Sequence, residues 1–419
     1  MAPWFRRAAQ SFLQQRASSV YAVAAATGSA GLLLLSTPGA AGGQPQRAGV
    51  FAETHAAASA AAAAAAAAGT GSNSSTSAAT NRGPRRILID TDPGVDDIWA
   101  LLLAFGSPDL LQVEGMSIVF GNGKDITTLG ANAKFVARLM GYPSIPVSLG
   151  ETPPPDVTGA VFEDLKQRAP VSVHGEKDNM GNVADKYGQN ASDFEGFHEL
   201  DAADFIYERC AAHPGEVTLV CLGPLKNIQT ALLRHPDLPK LVKEVVVMGG
   251  AFGERRGNRM PCAEANFYDA PEAAQAVLYA GFPKVVFAGL DVTHQTDMIK
   301  LRAACASIGS LASSFLYDVS QHYIDVYTTF FGDTIAPAHD AVPVMYLLRP
   351  DIFTARSVRV EVETLGEYTR GMSVADWKGR FGRPENAVVL TTITSPQQFE
   401  DTFVNAIRNL RAGSQRAPP

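Results

Sequence analysis

Cysteine is scarce in this chain of 419 residues, which has four: Cys210, Cys221, Cys262 and Cys305. They form no Cys-x-x-Cys pair, and their spacing matches neither a disulfide framework nor a zinc site, so we expect reduced, buried thiols. An excess of positive charge is also absent, because the formal net charge is -7 and the calculated pI is about 5.7. This balance gives no support to binding of a nucleic-acid polymer.

Acidic residues are missing from the start of the chain, where none precedes Glu53. Residues 1–84 are dominated by Ala, Ser, Gly and Thr, offer too little varied apolar surface for a core, and are expected to be disordered. This composition resembles a mitochondrial or plastid transit peptide, while a secretory signal and an untargeted tail are the alternatives. The apolar stretch at 31–36 is too short to span a bilayer, so we expect no membrane span. We expect the mature protein in the cytosol, or in an organelle if the extension acts as a transit peptide.

Alternating apolar and polar segments begin after the extension and predict a folded domain at 85–412, followed by a tail at 413–419. Buried strands alternate with helical patterns, which favours an α/β fold with an open, mainly parallel sheet and helices on both faces. The strands are predicted at 87–89, 112–120, 145–149, 217–222, 245–248 and 285–290, and the helices at 98–105, 127–140, 202–212, 228–233 and 271–279. The segment 151–200 is long and rich in Pro, Gly and Asn, which indicates a lid or binding loop.

Four aspartates follow the first predicted strand within eight residues, in the sequence Asp-Thr-Asp-Pro-Gly-Val-Asp-Asp at 90–97. Asp96 and Asp97 precede an apolar helix and could simply cap it. That explanation leaves out Asp90 and Asp92, which lie on the strand side of the turn. A bound hard cation would account for all four, and oxygen-only ligands favour Ca²⁺ or Mg²⁺ over zinc. Ligands bind at the carboxyl ends of parallel strands, so the cluster lies where a site is expected.

Seven later segments accompany this motif in a fixed order. They are 119–122, His174-Gly175, 222–227, 247–250 with 257–258, 263–266, the Ala-His-Asp sequence at 338–340, and 369–374. Together with the aspartate cluster, they resemble the inosine-uridine preferring nucleoside hydrolase family over about residues 86–411. The resemblance implies hydrolysis of the N-glycosidic bond of ribonucleosides to free base and ribose, with Ca²⁺ as cofactor. It also implies a homo-oligomer, either a dimer or a tetramer.

The resemblance assigns roles to individual residues. Ca²⁺ would be held by Asp92, Asp97, the carbonyl of Leu222 and Asp340, with Asp90 in a supporting position. The ribose would meet Asp96, Asn122, Met248, Asn258, Glu264 and Asn266. His339 would lie at the leaving base, with His174, Tyr323 and Tyr327 lining that side. Some of these assignments have a plain alternative: His339 could be an ordinary core histidine, the two tyrosines could belong to the core, and Asn258, Glu264 and Asn266 could be loop caps.

The chemistry explains why such residues are needed. Water is a poor nucleophile, so a Ca²⁺-bound water would be activated by Asp92 as general base. Bond cleavage leaves positive charge on the ribose, which nearby carboxylates stabilise. The base departs with negative charge, which His339 would neutralise as the acid, with an ordinary pKa near 6.5.

Two other functions are compatible with parts of the sequence. The Asp-Thr-Asp at 90–92 also resembles the start of a haloacid dehalogenase-type phosphatase, although Gly94 departs from that pattern. A catalytically inactive nucleoside-binding protein is the second alternative. Departures from the nucleoside hydrolase pattern at Asn179, the Arg255-Arg256 insertion, Ala265 and His322 leave purine against pyrimidine preference open.

Overall fold

The computed structural model describes residues 83–123, 125–152, 172–254 and 257–410. Its ten strands are β1 (Arg85–Thr91), β2 (Leu111–Ile118), β3 (Val147–Leu149), β4 (Thr218–Cys221), β5 (Glu244–Met248), β6 (Val285–Ala288), β7 (Phe353–Val358), β8 (Val360–Val362), β9 (Ser373–Ala375) and β10 (Ala387–Ile393). Eight of them form one sheet in the order β3-β2-β1-β4-β5-β6-β10-β7, and β8 pairs with β9 as a separate hairpin.

All neighbours in the large sheet are parallel except β10 and β7, which are antiparallel. The chain runs outward from β1 through β2 to β3, then returns to the other side of β1 and continues outward from β4. Strand order therefore reverses between β1 and β4. A crevice opens at such a switch point, at the carboxyl ends of the two strands, and this is where open α/β sheets bind ligands.

The α-helices are α1 (Val95–Phe105), α2 (Ile126–Leu139), α3 (Ala202–Ala212), α4 (Lys226–Arg234), α5 (Leu238–Leu241), α6 (Ala265–Asp269), α7 (Pro271–Tyr279), α8 (Leu290–Thr293), α9 (Met298–Cys305), α10 (Leu311–Asp325), α11 (Ala341–Leu348) and α12 (Pro396–Asn409). A π-helical turn, Val326–Phe330, extends α10, and short 3₁₀ turns lie at Asp185–Tyr187, Ala191–Phe194, Ala306–Ile308 and Pro350–Ile352.

Side-chain alternation along the strands divides the core into two layers. In β1, Ile87 and Ile89 pack with α1, α2 and α9 to α12, whereas Leu88 packs on the opposite face with α3, α4 and α7. Helix α1 is buried along its whole length because it lies between the sheet and α10, α11 and α12. The predicted mainly parallel sheet covered on both faces is therefore confirmed.

Several details of the sequence-based expectations need correction. The strand expected at 285–290 ends at Ala288, because Leu290 begins α8. The four cysteines are free, as expected, but Cys262 is only half-buried. The expected disorder at 1–84 and the tail at 413–419 lie almost entirely outside the described residues. Within the part of the chain that the structure describes, no helix is long and apolar enough to cross a membrane.

Candidate active site

A cavity of about 1240 Å³ opens at the carboxyl ends of the central strands. It is lined by Asp92, Asp96, Asn122, His174, Leu222, Met248, Asn258, Glu264, Asn266, Tyr323, Tyr327, His339 and Asp340. These are all of the site residues proposed from the sequence except Asp90 and Asp97, which do not line the cavity. The structure thus brings together residues that are up to 248 positions apart, from Asp92 to Asp340.

The floor of the cavity is the turn between β1 and α1. Asp97 caps its own helix, because its Oδ2 accepts a hydrogen bond from the backbone N–H of Gly94 at 2.9 Å. Its carboxylate also accepts from Thr91 Oγ1 and, at 2.9 Å, from Asn122 Nδ2. The helix-cap explanation is therefore correct for Asp97 but does not extend to Asp96, whose Oδ1 is buried without a hydrogen-bond partner.

Asp92 is held between two loops. Its Oδ2 accepts from the backbone N–H of Asn122 at 2.7 Å. A Cβ atom at Gly121 would lie 2.1 Å from this oxygen, and one at Gly223 would lie 2.4 Å from Oδ1. Because real Cβ atoms do not approach so closely, both positions need glycine for the Asp92 carboxylate to keep its place.

Three buried carboxylates converge beside Asp92. Oxygens of Asp96, Asp97 and Asp340 lie within 4.8 Å of one another. This group contains two of the metal ligands proposed from the sequence and adds Asp96 to them. The carbonyl oxygen of Leu222, also proposed as a ligand, accepts a hydrogen bond from Asn266 Nδ2 at 2.7 Å.

The carboxylate cluster is electrostatically unfavourable without a cation. Burial, followed by repulsion from Asp97, raises the pKa of Asp96 to about 8. Burial likewise raises the pKa values of Asp92 and Asp340 well above their usual range. The neighbouring imidazole of His174, with Nδ1 3.7 Å from Asp96 Oδ1, carries no compensating charge, since burial lowers its pKa to about 3. An oxygen-only donor set with an unpartnered buried oxygen fits a hard divalent cation.

Asp90 lies behind this floor and is fully buried. Its Oδ1 accepts hydrogen bonds from Ser117 Oγ at 2.6 Å and Asn227 Nδ2 at 2.8 Å. Asp90 thereby ties β1 to β2 and to the start of α4, and burial raises its pKa to about 7. Its position agrees with a supporting role rather than direct contact with a ligand.

On the side of the cavity formed by residues 258–266, side chains that cap the start of α6 also line the cavity. Glu264 accepts from the backbone N–H groups of Gly250, Asn266 and Phe267 at 2.9–3.1 Å, and Asn258 Oδ1 accepts from Ala265 N at 2.9 Å. The cap explanation is thus correct for these two residues, although both line the cavity. Burial raises the pKa of Glu264 to about 7.

The opposite wall is formed by imidazole and phenol groups. His339 Nε2 lies 3.4 Å from Tyr327 Oη, which in turn lies 3.3 Å from Tyr323 Oη. The ring of His174 lies 5.6 Å from that of Tyr323, and its Nδ1 accepts from the backbone N–H of Val95 at 3.0 Å. The expected ordinary pKa of His339 is wrong, because burial lowers it well below 6.5. His339 therefore faces the cavity as a neutral imidazole.

Sequence reasoning missed several residues at the cavity. His294 lines it, with its ring 5.2 Å from that of His339. Thr293 is buried and does not line the cavity, but it contacts His339 directly. Both follow β6, so a search beyond the end of every predicted strand would have found them. Arg259 and Asp269 line the other side as an ion pair with Nε 3.5 Å from Oδ1; no sequence pattern indicated that pairing.

Comparisons with known proteins agree with this geometry. The family model described as inosine-uridine preferring nucleoside hydrolase matches residues 87–400. Uridine nucleosidase 1 of Arabidopsis thaliana is 34% identical over 67% of this chain and 79% of its own length. The inosine-uridine preferring nucleoside hydrolase of Leishmania major is 35% identical over 72% of this chain and 90% of its own. The solved structure of the plant nucleoside hydrolase PpNRh1 superposes with a TM-score of 0.66 at 27% identity, covering 78% of this chain and 99% of that one.

Proposed function

Because the chain belongs to the inosine-uridine preferring nucleoside hydrolase family and hydrolyses the N-glycosidic bond of ribonucleosides, we propose that the cavity above β1 and β4 is its active site and that Ca²⁺ is its cofactor. One observation carries the proposal. A cluster of buried carboxylates, unfavourable unless a cation is present, faces the same cavity as a wall of neutral imidazole and phenol groups. Such a cavity can accept a ribose on its acidic floor and a base against its wall.

Asp92, Asp97, the Leu222 carbonyl and Asp340 would hold the cation. Their fit rests on the oxygen-only donor set and on the pKa values raised by burial and mutual repulsion. When bound, a divalent cation lowers the pKa of a water molecule and fixes its position. Asp96 is the remaining member of the cluster, and its unpartnered Oδ1 is available to a ribose hydroxyl or to the cation.

Asp92 is the proposed general base. Its Oδ2 is occupied by the Asn122 N–H, and the glycines at 121 and 223 leave its two oxygens room. A carboxylate held in this way takes a proton from the attacking water while the water oxygen forms its bond to the ribose anomeric carbon. Positive charge that develops on the ribose ring is stabilised by the surrounding carboxylates.

His339 is the proposed donor to the leaving base. The glycosidic bond breaks with its electron pair moving to the base nitrogen, so the base needs a proton or a hydrogen bond as it departs. The Nε2 atom of His339 and the hydroxyl of Tyr327 face this position, 3.4 Å from each other. As a neutral imidazole, His339 donates a hydrogen bond from Nε2 to the base anion as it leaves. The base gains one proton and Asp92 takes one from water, so passage of that proton from Asp92 to the base through solvent yields ribose and the protonated base and returns the enzyme to its starting state.

The phosphatase alternative has little support in the structure. A haloacid dehalogenase-type enzyme would use Asp90, the first aspartate of the motif, as nucleophile. Here Asp90 is fully buried, hydrogen-bonded to Ser117 and Asn227, and does not line the cavity. Its oxygens therefore have no access to a phosphate in the cavity.

A single assay tests the proposed function. Purified protein is incubated with inosine, uridine and p-nitrophenyl phosphate in the presence of Ca²⁺, and ribose and phosphate are measured. Ribose release from a nucleoside supports the proposal; phosphate release alone would favour the phosphatase, and nucleoside binding without ribose would favour an inactive binding protein. Comparing inosine with uridine in the same assay defines the base preference.

The homo-oligomer and the cellular compartment stay predictions. Light scattering of the purified protein would distinguish a dimer or tetramer from a monomer. A fusion of residues 1–84 to a fluorescent reporter would show whether the extension directs a protein to an organelle.

A further inference from the structure

Thr293 is a buried hydroxyl that the mechanism described above does not use. It is the last residue of α8, directly after β6, and is completely buried. Its Oγ1 lies 2.8 Å from Nδ1 of His339. The side chain therefore contacts the imidazole on the edge opposite the one that faces the cavity.

The direction of this hydrogen bond follows from which acceptor the Thr293 hydroxyl can reach. A buried hydroxyl carries one hydrogen that must be donated to avoid a desolvation cost. Among the described residues, His339 Nδ1 is the acceptor that the structure places within reach of the Thr293 hydroxyl. If Nδ1 instead carried the hydrogen, Thr293 would accept it and its own hydrogen would be buried without an acceptor.

A donating Thr293 determines the tautomer of His339. In a neutral imidazole one nitrogen accepts and the other carries the hydrogen. With Nδ1 as the acceptor, the hydrogen lies on Nε2, which points toward Tyr327 Oη at 3.4 Å and the cavity. In the other tautomer, Nε2 would present a lone pair to the departing base. The base nitrogen also carries a lone pair, so no hydrogen bond could form between them.

On the basis of the proposed function, we propose that Thr293 is a positioning residue for the reaction: its hydroxyl donates to Nδ1 of His339 and holds the ring as an Nε2–H donor to the leaving base. Thr293 itself touches no reacting atom. It acts only through His339, so its effect is confined to substrates whose base needs a hydrogen as it leaves.

The chain supplies a matched control one turn further along. Thr296 is also a buried threonine, but its Oγ1 bonds only to backbone, donating to the Thr293 carbonyl at 2.6 Å and accepting from Ala338 N at 2.8 Å. Replacing Thr296 with Val removes a buried hydroxyl near the same segment without removing the contact to the imidazole.

The test compares inosine with p-nitrophenyl riboside, whose leaving group departs without a proton, using the full-length protein saturated with Ca²⁺. Thr293→Val is nearly isosteric and should lower kcat on inosine by about 10- to 100-fold, a part of the usual acid-catalysis effect, with KM and the p-nitrophenyl riboside rate little changed. Thr293→Ser restores the hydroxyl and should restore inosine hydrolysis. Thr296→Val should affect the two substrates equally.

Two further measurements make the outcome decisive. In a double-mutant cycle, Thr293→Val should add no further loss on inosine to His339→Ala, because the hydroxyl acts through that ring. Nitrogen-15 NMR of histidine-labelled protein should show His339 protonated at Nε2, and Thr293→Val should change that signal. Equal losses on both substrates in a folded Thr293→Val protein, or an unprotonated Nε2 in the wild type, would overturn the inference.

Failure of this inference is distinguishable from failure of the proposed function. If His339→Ala itself shows no difference between the two substrates, His339 is not the donor and the proposed role fails. If His339→Ala shows the difference and Thr293→Val does not, the role of His339 stands and only the role of Thr293 is refuted.

Discussion

The floor and the wall of the cavity are built in opposite ways. The floor comes mainly from one stretch of eight residues, 90–97, which runs from the end of β1 into the start of α1, and its character is set by carboxylates whose pKa values are raised by burial and by one another. The wall is assembled from three separate segments, which supply His174, Tyr323 with Tyr327, and His339, and its histidines are neutral because burial lowers their pKa values. The acidic floor, which one stretch of the sequence supplies, needs a cation to offset its charge. The neutral wall, which segments distant in sequence supply, determines which atoms can donate a hydrogen bond to the leaving base.

This contrast predicts that removal of the cation has the largest effect. Chelation should abolish hydrolysis of every substrate and lower the melting temperature, because a ligand that binds only the folded protein stabilises it, by about 2.7 kcal/mol at one hundred times its Kd. Activity and differential scanning calorimetry before chelation, after it and after Ca²⁺ is restored provide the check. Full activity in protein shown by elemental analysis to be free of metal would contradict the Ca²⁺ assignment.

Changing the floor should affect all substrates. Replacing Asp92 with Ala should lower kcat on both inosine and p-nitrophenyl riboside by about 10²–10⁴-fold, or more if the cation is also lost. The reason is that Asp92 is proposed to act on water, whatever the leaving group. Elemental analysis of the variant separates loss of the base from loss of the cation, and a rate near that of the wild type on either substrate would refute the role.

Replacing a residue of the wall should lower the rate on inosine but not the rate on p-nitrophenyl riboside. His339→Ala should lower kcat on inosine by a factor similar to that for Asp92, about 10²–10⁴-fold, but should leave p-nitrophenyl riboside hydrolysis nearly unchanged. A folding defect would reduce the two rates together, so circular dichroism and the second substrate serve as controls. Equal losses in a folded variant would make His339 a support for Asp340 and direct attention to His174 or a tyrosine as the donor.

A smaller perturbation of the floor tests how closely Asp92 is held. In Gly223→Ala the new Cβ would lie 2.4 Å from Asp92 Oδ1, so the carboxylate must move. A displacement near 1 Å is expected to lower kcat by about 10²-fold, equally on both substrates. Gly83→Ala, where a Cβ would meet no atom within 4 Å, is the control; unchanged activity in Gly223→Ala would show that the position of Asp92 is not restricted in this way.

The smallest effect is expected outside both regions. A protein that starts at Asn81 keeps every residue of the floor and the wall and should retain kcat and melting temperature. Activity assays and calorimetry beside the full-length chain measure this. A soluble but inactive shortened protein would show that residues 1–80 contribute to the working enzyme.

The local spacing of apolar residues was sufficient to predict many of the helices and strands. Periodicity located α3 and α7 at their observed bounds and the first six strands to within a few residues, because helices and buried strands leave distinct spacings of apolar residues. The same spacing did not indicate that α8 begins at Leu290, since an apolar run at the end of a strand does not distinguish strand from helix. The antiparallel pairing of β7 with β10 was likewise not predicted, because it depends on contacts between distant segments.

The sequence by itself determined the carboxylate floor, because Asp92, Asp96 and Asp97 lie within six residues of one another and a strand-turn-helix segment must place them at one sheet end. It also indicated which histidine matters, through the adjacency of His339 to Asp340. Only the tertiary structure decided the state of that histidine. Burial of His339 among residues from distant segments depresses its pKa, and Thr293, 46 positions away, meets its ring. Desolvation and hydrogen-bond direction depend on what surrounds a group in space, and no local pattern in the chain encodes them.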